Sequence, residues 1–423
     1  MNTSTASQRE WSWRDAGKHG PLIQALNIAS AMTGFAHKKF VPEQLLEKAA
    51  QRAGLDDFGP PEFREALDIL CRAYNADPQM TGLGQLAGRE LITSSLAKRL
   101  QVIDWHKTHP GIAQQKVTQP LVISGFPRSG TTLGSMLLNL DPHGRSPLVW
   151  ECDFPTPPAM LATQHSDPRI AQSQKQLDGF HKLVPPMKVL HPLESCYPHE
   201  CVVLTMLDLQ SILFQSVSLA DEYMEWYTFS DKTSAYRIHK QQLQIWQSTI
   251  PTNYWTLKAP NHMHGIDEFM AAYPDARMIW SHRDPLVCIA SIASLTLSFT
   301  RTNNPKVDPI HAGQNINRHW LAATKKMMTY DKAQTNKDWC HHMYYNDLVR
   351  DPAATIGAAY RHFGQDIDPL HTHNIYAWVE QRPKNTFGIH KYTLEEFGLD
   401  AKKMREQYAE YTETYKVPNE VHI

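Results

Sequence analysis

Residues Leu121–Leu133 read LVISGFPRSGTTL. A short apolar run ends at Gly125, Gly130 follows five positions on, and an apolar helical pattern follows from Thr131. This is the layout of a phosphate-binding loop, in which the start of a helix offers unpaired backbone N–H groups and the positive end of its dipole to an anion. In a nucleoside-triphosphatase the residue after the second glycine is lysine, which reaches the β- and γ-phosphates. Here it is Thr131, and the cation lies inside the loop as Arg128. The sequence therefore speaks for an anion site and against magnesium-triphosphate chemistry.

Working outward, the text downstream of Pro120 alternates strand-like and helix-like segments. LVISG, SPLVWE, YWTLKAP, RMIWSH and HHMYYNDLV read as strands running into loops, with helices between them. That alternation predicts an α/β fold, a P-loop-like and mostly parallel sheet flanked by helices, with ligands at the carboxyl ends of the strands. Upstream, residues 21–34, 41–54, 60–77 and 88–110 carry apolar residues three and four apart, punctuated by glycine and proline. They predict an N-terminal helical region over 1–115 that packs on an α/β domain over 116–423.

Composition bounds the function. The chain has 423 residues, 42 basic against 43 acidic, so no global field recruits nucleic acid or an anionic membrane. The apolar run Cys201–Ala220 is interrupted by Asp208, Gln210 and Gln215 and reads as one buried helix, not a membrane span. Six scattered cysteines without a CxxC pair predict free thiols and a cytoplasmic setting. The 22 histidines show no metal-ligand spacing, so no metal is expected.

A second anion signal is WSHRDPLVCIAS, where Arg283 ends a strand and Ser291 follows two helical turns later. With both motifs in place, about 155 residues apart in the order loop then Arg-Ser, the chain resembles the sulfotransferases that use 3′-phosphoadenosine 5′-phosphosulfate, in particular the "PRSGTT" branch that includes protein-tyrosine sulfotransferases. The resemblance runs from Pro120 toward the C-terminus. It implies that Arg128, Ser129, Gly130, Thr131 and Thr132 bind the 5′-phosphosulfate, and that Arg283 and Ser291 bind the 3′-phosphate. It further implies that Lys258, in YWTLKAP, neutralises charge on the leaving oxygen and that Tyr345 contacts the adenine region. In RPKNTFGIHKYTLEEFG, Lys391, Gly388 and Arg382 resemble the loop that closes over the donor. No metal is required, because the donor carries one phosphate and one sulfate on its 5′ side, where direct cations suffice.

Transfer to a hydroxyl or amine requires a base. Glu151, twenty-three residues beyond Arg128 (151 − 128) at the end of the predicted strand SPLVWE, occupies the position that the resemblance implies. Glu200, His199 and His262 are the rivals, and His264 also falls where an acceptor pocket would be lined. The stretch DEYMEWYTFSDKTSAY is expected to be helical, with a face toward the acceptor. The expected partner is a small-molecule or peptide acceptor, a homodimer is compatible with this reading, and an ATP-dependent P-loop phosphotransferase or a non-catalytic nucleotide-binding protein are the alternatives.

Overall fold

The computed structural model describes residues 10–183, 193–382, 389–390 and 392–421. Among the described residues seven strands are formed: β1 (Glu10–Trp11), β2 (Leu121–Gly125), β3 (Gly144–Arg145), β4 (Tyr254–Lys258), β5 (Arg277–His282), β6 (Cys340–Tyr344) and β7 (Ile389–His390). β2 to β6 make one parallel sheet in the order β3-β4-β2-β5-β6, while β1 pairs with β7. Parallel strands joined by crossovers are covered on both faces, and accordingly every residue of β2 and β5 is buried. The two-residue period of a strand divides β2 between two cores. Val122 joins Leu257, Met278 and Trp280 on one face, whereas Leu121 and Ile123 join Leu137, Ile279 and Met343 on the other.

The register decides where chemistry can sit. Ile123 lies opposite Lys258, Gly125 opposite Ser281, and His282 opposite Tyr344. The phosphate-type loop, Lys258, Arg283 and Tyr345 thus leave the sheet at one carboxyl edge.

The four periodic N-terminal segments form the helices Pro21–Met32, Pro42–Ala53, Phe63–Asn75 and Gly82–Thr108. The last is tied to the rest by a buried ion pair, Arg99 to Asp208 at 2.7 Å, with Arg99 also donating to the carbonyls of Phe58 and Pro60. Asp208 explains a departure from expectation. The run Cys201–Ala220 is not one helix but a short helix Cys201–Thr205, two 3₁₀ turns and a left-handed Leu209, because the buried carboxylate turns toward Arg99 and Ser234. SPLVWE is likewise not a strand. The sheet takes only Gly144–Arg145 there, and Val149–Asp153 is helical, with the Glu151 carboxylate capping the Leu148 N–H. All six cysteines are free thiols, as expected. Helix Pro285–Asn303 is long and apolar enough to cross a membrane, and most of it is buried inside the fold.

Several histidines are locked in as neutral groups. Burial pushes His239 down to about 3, and His319 and His341 to about 4, from an ordinary 6.5. Unfolding returns each toward 6.5, so the unfolded chain binds more protons below that pH. The stability these groups contribute is therefore fully present above pH about 6.5 and falls as the pH drops toward about 4 for His319 and His341 and about 3 for His239. Thermal unfolding across that range should show the loss, with a shallower slope for His239→Gln.

Candidate functional site

The loop after β2 is shaped by close approach. Gly125 has φ +133°, and a Cβ there would lie 2.3 Å from the Ser281 carbonyl oxygen, so no side chain fits. Ser281 Oγ donates to the Ser129 carbonyl at 2.6 Å, and Ser129 Oγ donates to the Phe126 carbonyl at 2.7 Å, which fixes the loop on β5. Arg128 takes φ +71° and is exposed, while Gly130, at φ +94°, caps the helix Thr131–Leu138. A side chain at Gly130 would meet the Tyr345 ring at 3.0 Å.

The second basic motif meets the first directly. Arg283 Nη1 donates to the Arg128 carbonyl at 2.8 Å, and its guanidinium carbon stands 3.8 Å from the centre of the Tyr345 ring. Arg128, Gly130, Arg283 and Tyr345 are therefore one contiguous surface, although they are far apart in sequence. The remaining face of Arg283 holds a carboxylate: Nε and Nη2 reach Glu420 at 3.0 and 2.9 Å. Asp284 fixes that tail by accepting from the backbone N–H of Glu420 and Val421 at 2.6 and 3.0 Å while Arg405 forks onto it. Glu420 was missed by sequence reasoning, because nothing in VPNEV marks an acid 137 residues from Arg283 as its partner. Ser291 is buried on helix Pro285–Asn303, two turns on from Arg283.

Lys258, nearly buried at the end of β4, forms an ion pair with Glu200. Both line a cavity of about 400 Å³, together with Arg128, Thr131, Thr132, His199 and His264. Away from the loop its lining mixes apolar side chains with Ser94, Ser95, Gln215, Ser216 and Thr296, and comes largely from the helices Gly82–Thr108, Pro285–Asn303 and Pro309–Ala333 and the broken segment after Cys201. The cavity thus runs from the loop into the space under the N-terminal helical region.

Glu151 does not line that cavity. It is 2% exposed, accepts from Leu148 N–H at 3.1 Å and pairs with Arg145. Burial pushes its carboxyl up while Arg145 opposes the rise. His262 is also enclosed, with Nδ1 2.9 Å from the Tyr236 hydroxyl. The aromatic stretch 221–236 falls in two helices, Asp221–Phe229 and Thr233–Gln247, broken at residues 230–232; Tyr223, Tyr227 and Tyr236 are core, and of this stretch only Met224 lines the cavity. Arg382 stacks on Trp378, and Gly388 and Lys391 lie outside the described residues.

The comparisons agree with this layout. A family model described as the sulfotransferase family matches residues 120–369, more than half of the chain. Sulfotransferase STF9 from Mycobacterium avium superposes with a TM-score of 0.83 at 28% identity, covering 90% of this chain and 98% of that one. Sulfotransferase STF1 from Mycobacterium tuberculosis H37Rv gives 0.79 at 26% identity, covering 88% and 99%. No curated protein matches. Since the matched span holds the whole five-stranded sheet and the likeness extends across nearly the full length of two solved relatives, the chain belongs to the sulfotransferase family.

Proposed function

We infer that the protein transfers a sulfuryl group from 3′-phosphoadenosine 5′-phosphosulfate to a hydroxyl or amine. The observation that carries this reading is the direct join of the two basic motifs, Arg283 to the Arg128 carbonyl, at the carboxyl edge where Lys258 also emerges. The residues suit that donor. A glycine loop with no room for a Cβ lets backbone approach a phosphate, and Arg283 already holds an anion through two nitrogens, as a guanidinium would hold a phosphate.

In this reading Ser129 to Thr132 hold the 5′-phosphate, Arg283 holds the 3′-phosphate, with Ser291 as its further ligand, and Tyr345 flanks the nucleoside. The donor supplies the sulfuryl group. Glu200, facing the cavity beside Lys258, takes the acceptor proton as the new S–O bond forms. Lys258 and Arg128 stabilise the charge left on the 5′-phosphate oxygen as the old S–O bond breaks. Glu151, sealed behind Arg145, supports the wall on which these groups sit; its placement favours Glu200 as the base. Residues 1–115 act as a cover on the domain 116–423 and close the acceptor side of the cavity. Free cysteines suit a reducing cytoplasm.

The test is thermal unfolding with adenosine 3′,5′-bisphosphate in the absence of magnesium. Stabilisation there, with none from ATP and magnesium, is the expected result. The reverse pattern would indicate a phosphotransferase.

Glu420 supplies a further prediction. An incoming 3′-phosphate meets its carboxylate on the same guanidinium, and like charges in one site repel. Glu420→Gln removes the charge while the Asp284 contacts to the tail backbone remain. Binding of adenosine 3′,5′-bisphosphate, measured by calorimetry, should tighten about tenfold.

A further inference from the structure

Helix Pro21–Met32 has three polar residues, Gln24, Asn27 and Ser30, and no charged one. One side of it is anchored. Leu83 N–H, at the start of helix Gly82–Thr108, donates to Asn27 Oδ1 at 3.0 Å, and Ser30, the one buried residue of the helix, packs so closely on Gly82 that no Cβ would fit there. The other side carries Leu22, Ala25, Ile28, Ala29 and Met32, which the helical period places in one arc of about 120°. All five are exposed, with Leu22, Ile28 and Met32 at 81, 62 and 83%. An amphipathic helix on a folded domain turns such a stripe toward the core. Here the stripe faces out, which marks it as a surface for contact.

Cations border the stripe. Residues 16–42 hold Lys18, Lys38 and Lys39 and no Asp or Glu, in a chain whose acids and bases otherwise balance. Past the end of the helix a hollow is lined by Lys38, Lys48, Arg52 and Arg89 against a single carboxylate, Glu90, with Phe35 beside them. Leu86, one turn beyond Gly82 and 44% exposed, lines it too. Arg89 Nη2 donates to the carbonyls of Lys38 and Lys39 at 2.8 and 2.9 Å and so pins their backbone at this edge. Glu90 is bound by Arg52, Asp15 by Lys18 and Glu43 by Arg64, whereas no carboxylate among the described residues pairs with Lys38, Lys39 or Lys48.

We propose that this face docks the protein on an anionic lipid bilayer, with Leu22, Ile28 and Met32 at the acyl boundary and Lys38, Lys39 and Lys48 on headgroup phosphates. The helix is suited to lying in the interface. At 1.5 Å per residue it is about 18 Å long, too short to cross a hydrocarbon core of about 30 Å. A net charge of -1 gives no global attraction, so recruitment is local to this edge. A second copy of the chain fits the face less well. A two-fold contact through one short helix brings the lysines of both copies together and offers little of the roughly 800 Å² per partner that a stable dimer buries. None of these residues lines the cavity at the loop, so the proposal does not depend on the sulfuryl-transfer reading.

The experiment is flotation of the full chain with vesicles of phosphatidylcholine alone and of phosphatidylcholine mixed with phosphatidylserine. Binding to the mixed vesicles is expected to exceed binding to the plain ones at least about tenfold and to weaken as salt rises. Ile28→Gln combined with Met32→Gln should lower binding to the mixed vesicles at least about tenfold. Lys38→Glu combined with Lys39→Glu should lower it by about as much and remove the preference for phosphatidylserine. All four positions are exposed, so both variants should melt as the wild type does. Equal binding to the two kinds of vesicle, or binding to neither, overturns the proposal, as does undiminished binding by either folded variant. A dimer in sedimentation velocity that Ile28→Gln with Met32→Gln dissolves, in a protein that leaves the mixed vesicles unbound, gives the face to a second copy and overturns it as well.

Discussion

Lys258→Ala is expected to lower turnover about 10²- to 10³-fold, the loss seen when one fixed group is removed from a developing charge in a site closed to water. Lys258 is placed by pairing, not by a flexible loop. Its backbone lies opposite Ile123 in the sheet, the next residue donates to the Ile123 carbonyl at 3.2 Å, and its side chain is 4% exposed. A cation so confined needs no reorganisation as charge gathers on the departing phosphate oxygen. Its removal also takes the Lys258 cation from Glu200 in a half-buried site, so melting should be measured beside kinetics. The diagnostic pattern is a large fall in kcat with a small change in bisphosphate affinity, because Arg283 and the loop N–H groups remain. A loss of affinity with kcat unchanged would place Lys258 in ground-state binding.

The second large effect separates two glutamates. Glu200→Gln is expected to reduce kcat about 10²- to 10⁴-fold, with donor binding nearly intact, if this carboxylate takes the acceptor proton. Glu151→Gln should act differently. Its carboxylate closes a helix start and neutralises Arg145, which itself donates to the Trp246 and Ile250 carbonyls and stacks over Trp255. The amide leaves Arg145 without its counter-charge, which at this depth costs about 3–5 kcal/mol when one partner of a buried pair is removed. A lowered melting temperature with a modest kinetic change is the expected signature. Wild-type stability combined with a collapse of kcat in Glu151→Gln would return the base to position 151.

The sequence was informative where a physical rule is local. Apolar runs ending in glycine or a basic residue marked β2, β4 and β5, and strands that begin and end alike in a parallel sheet bring their ends together. That geometry brings together Arg128, Lys258, Arg283 and Tyr345, which the sequence offered as strand-end residues and the family resemblance grouped. SPLVWE was misread because a short apolar run with a β-branched residue favours a strand, yet Glu151 sits at the helical position from which its carboxylate reaches back to Leu148 N–H. Cys201–Ala220 was misread because its interruption depends on Arg99, a partner more than a hundred residues away. The Glu420 tail has the same character: its meeting with Arg283 is decided by tertiary packing, and no spacing rule records it.

The most direct test of the account is incubation of the purified protein with 3′-phosphoadenosine 5′-phosphosulfate and a panel of hydroxyl and amine acceptors, without metal, followed by mass spectrometry of both products. The account predicts adenosine 3′,5′-bisphosphate and an acceptor heavier by one SO₃ group in equal amounts, with both nearly lost in Lys258→Ala. Bisphosphate and sulfated acceptor formed at undiminished rates by Lys258→Ala, or phosphate transferred from ATP in their place, would contradict it.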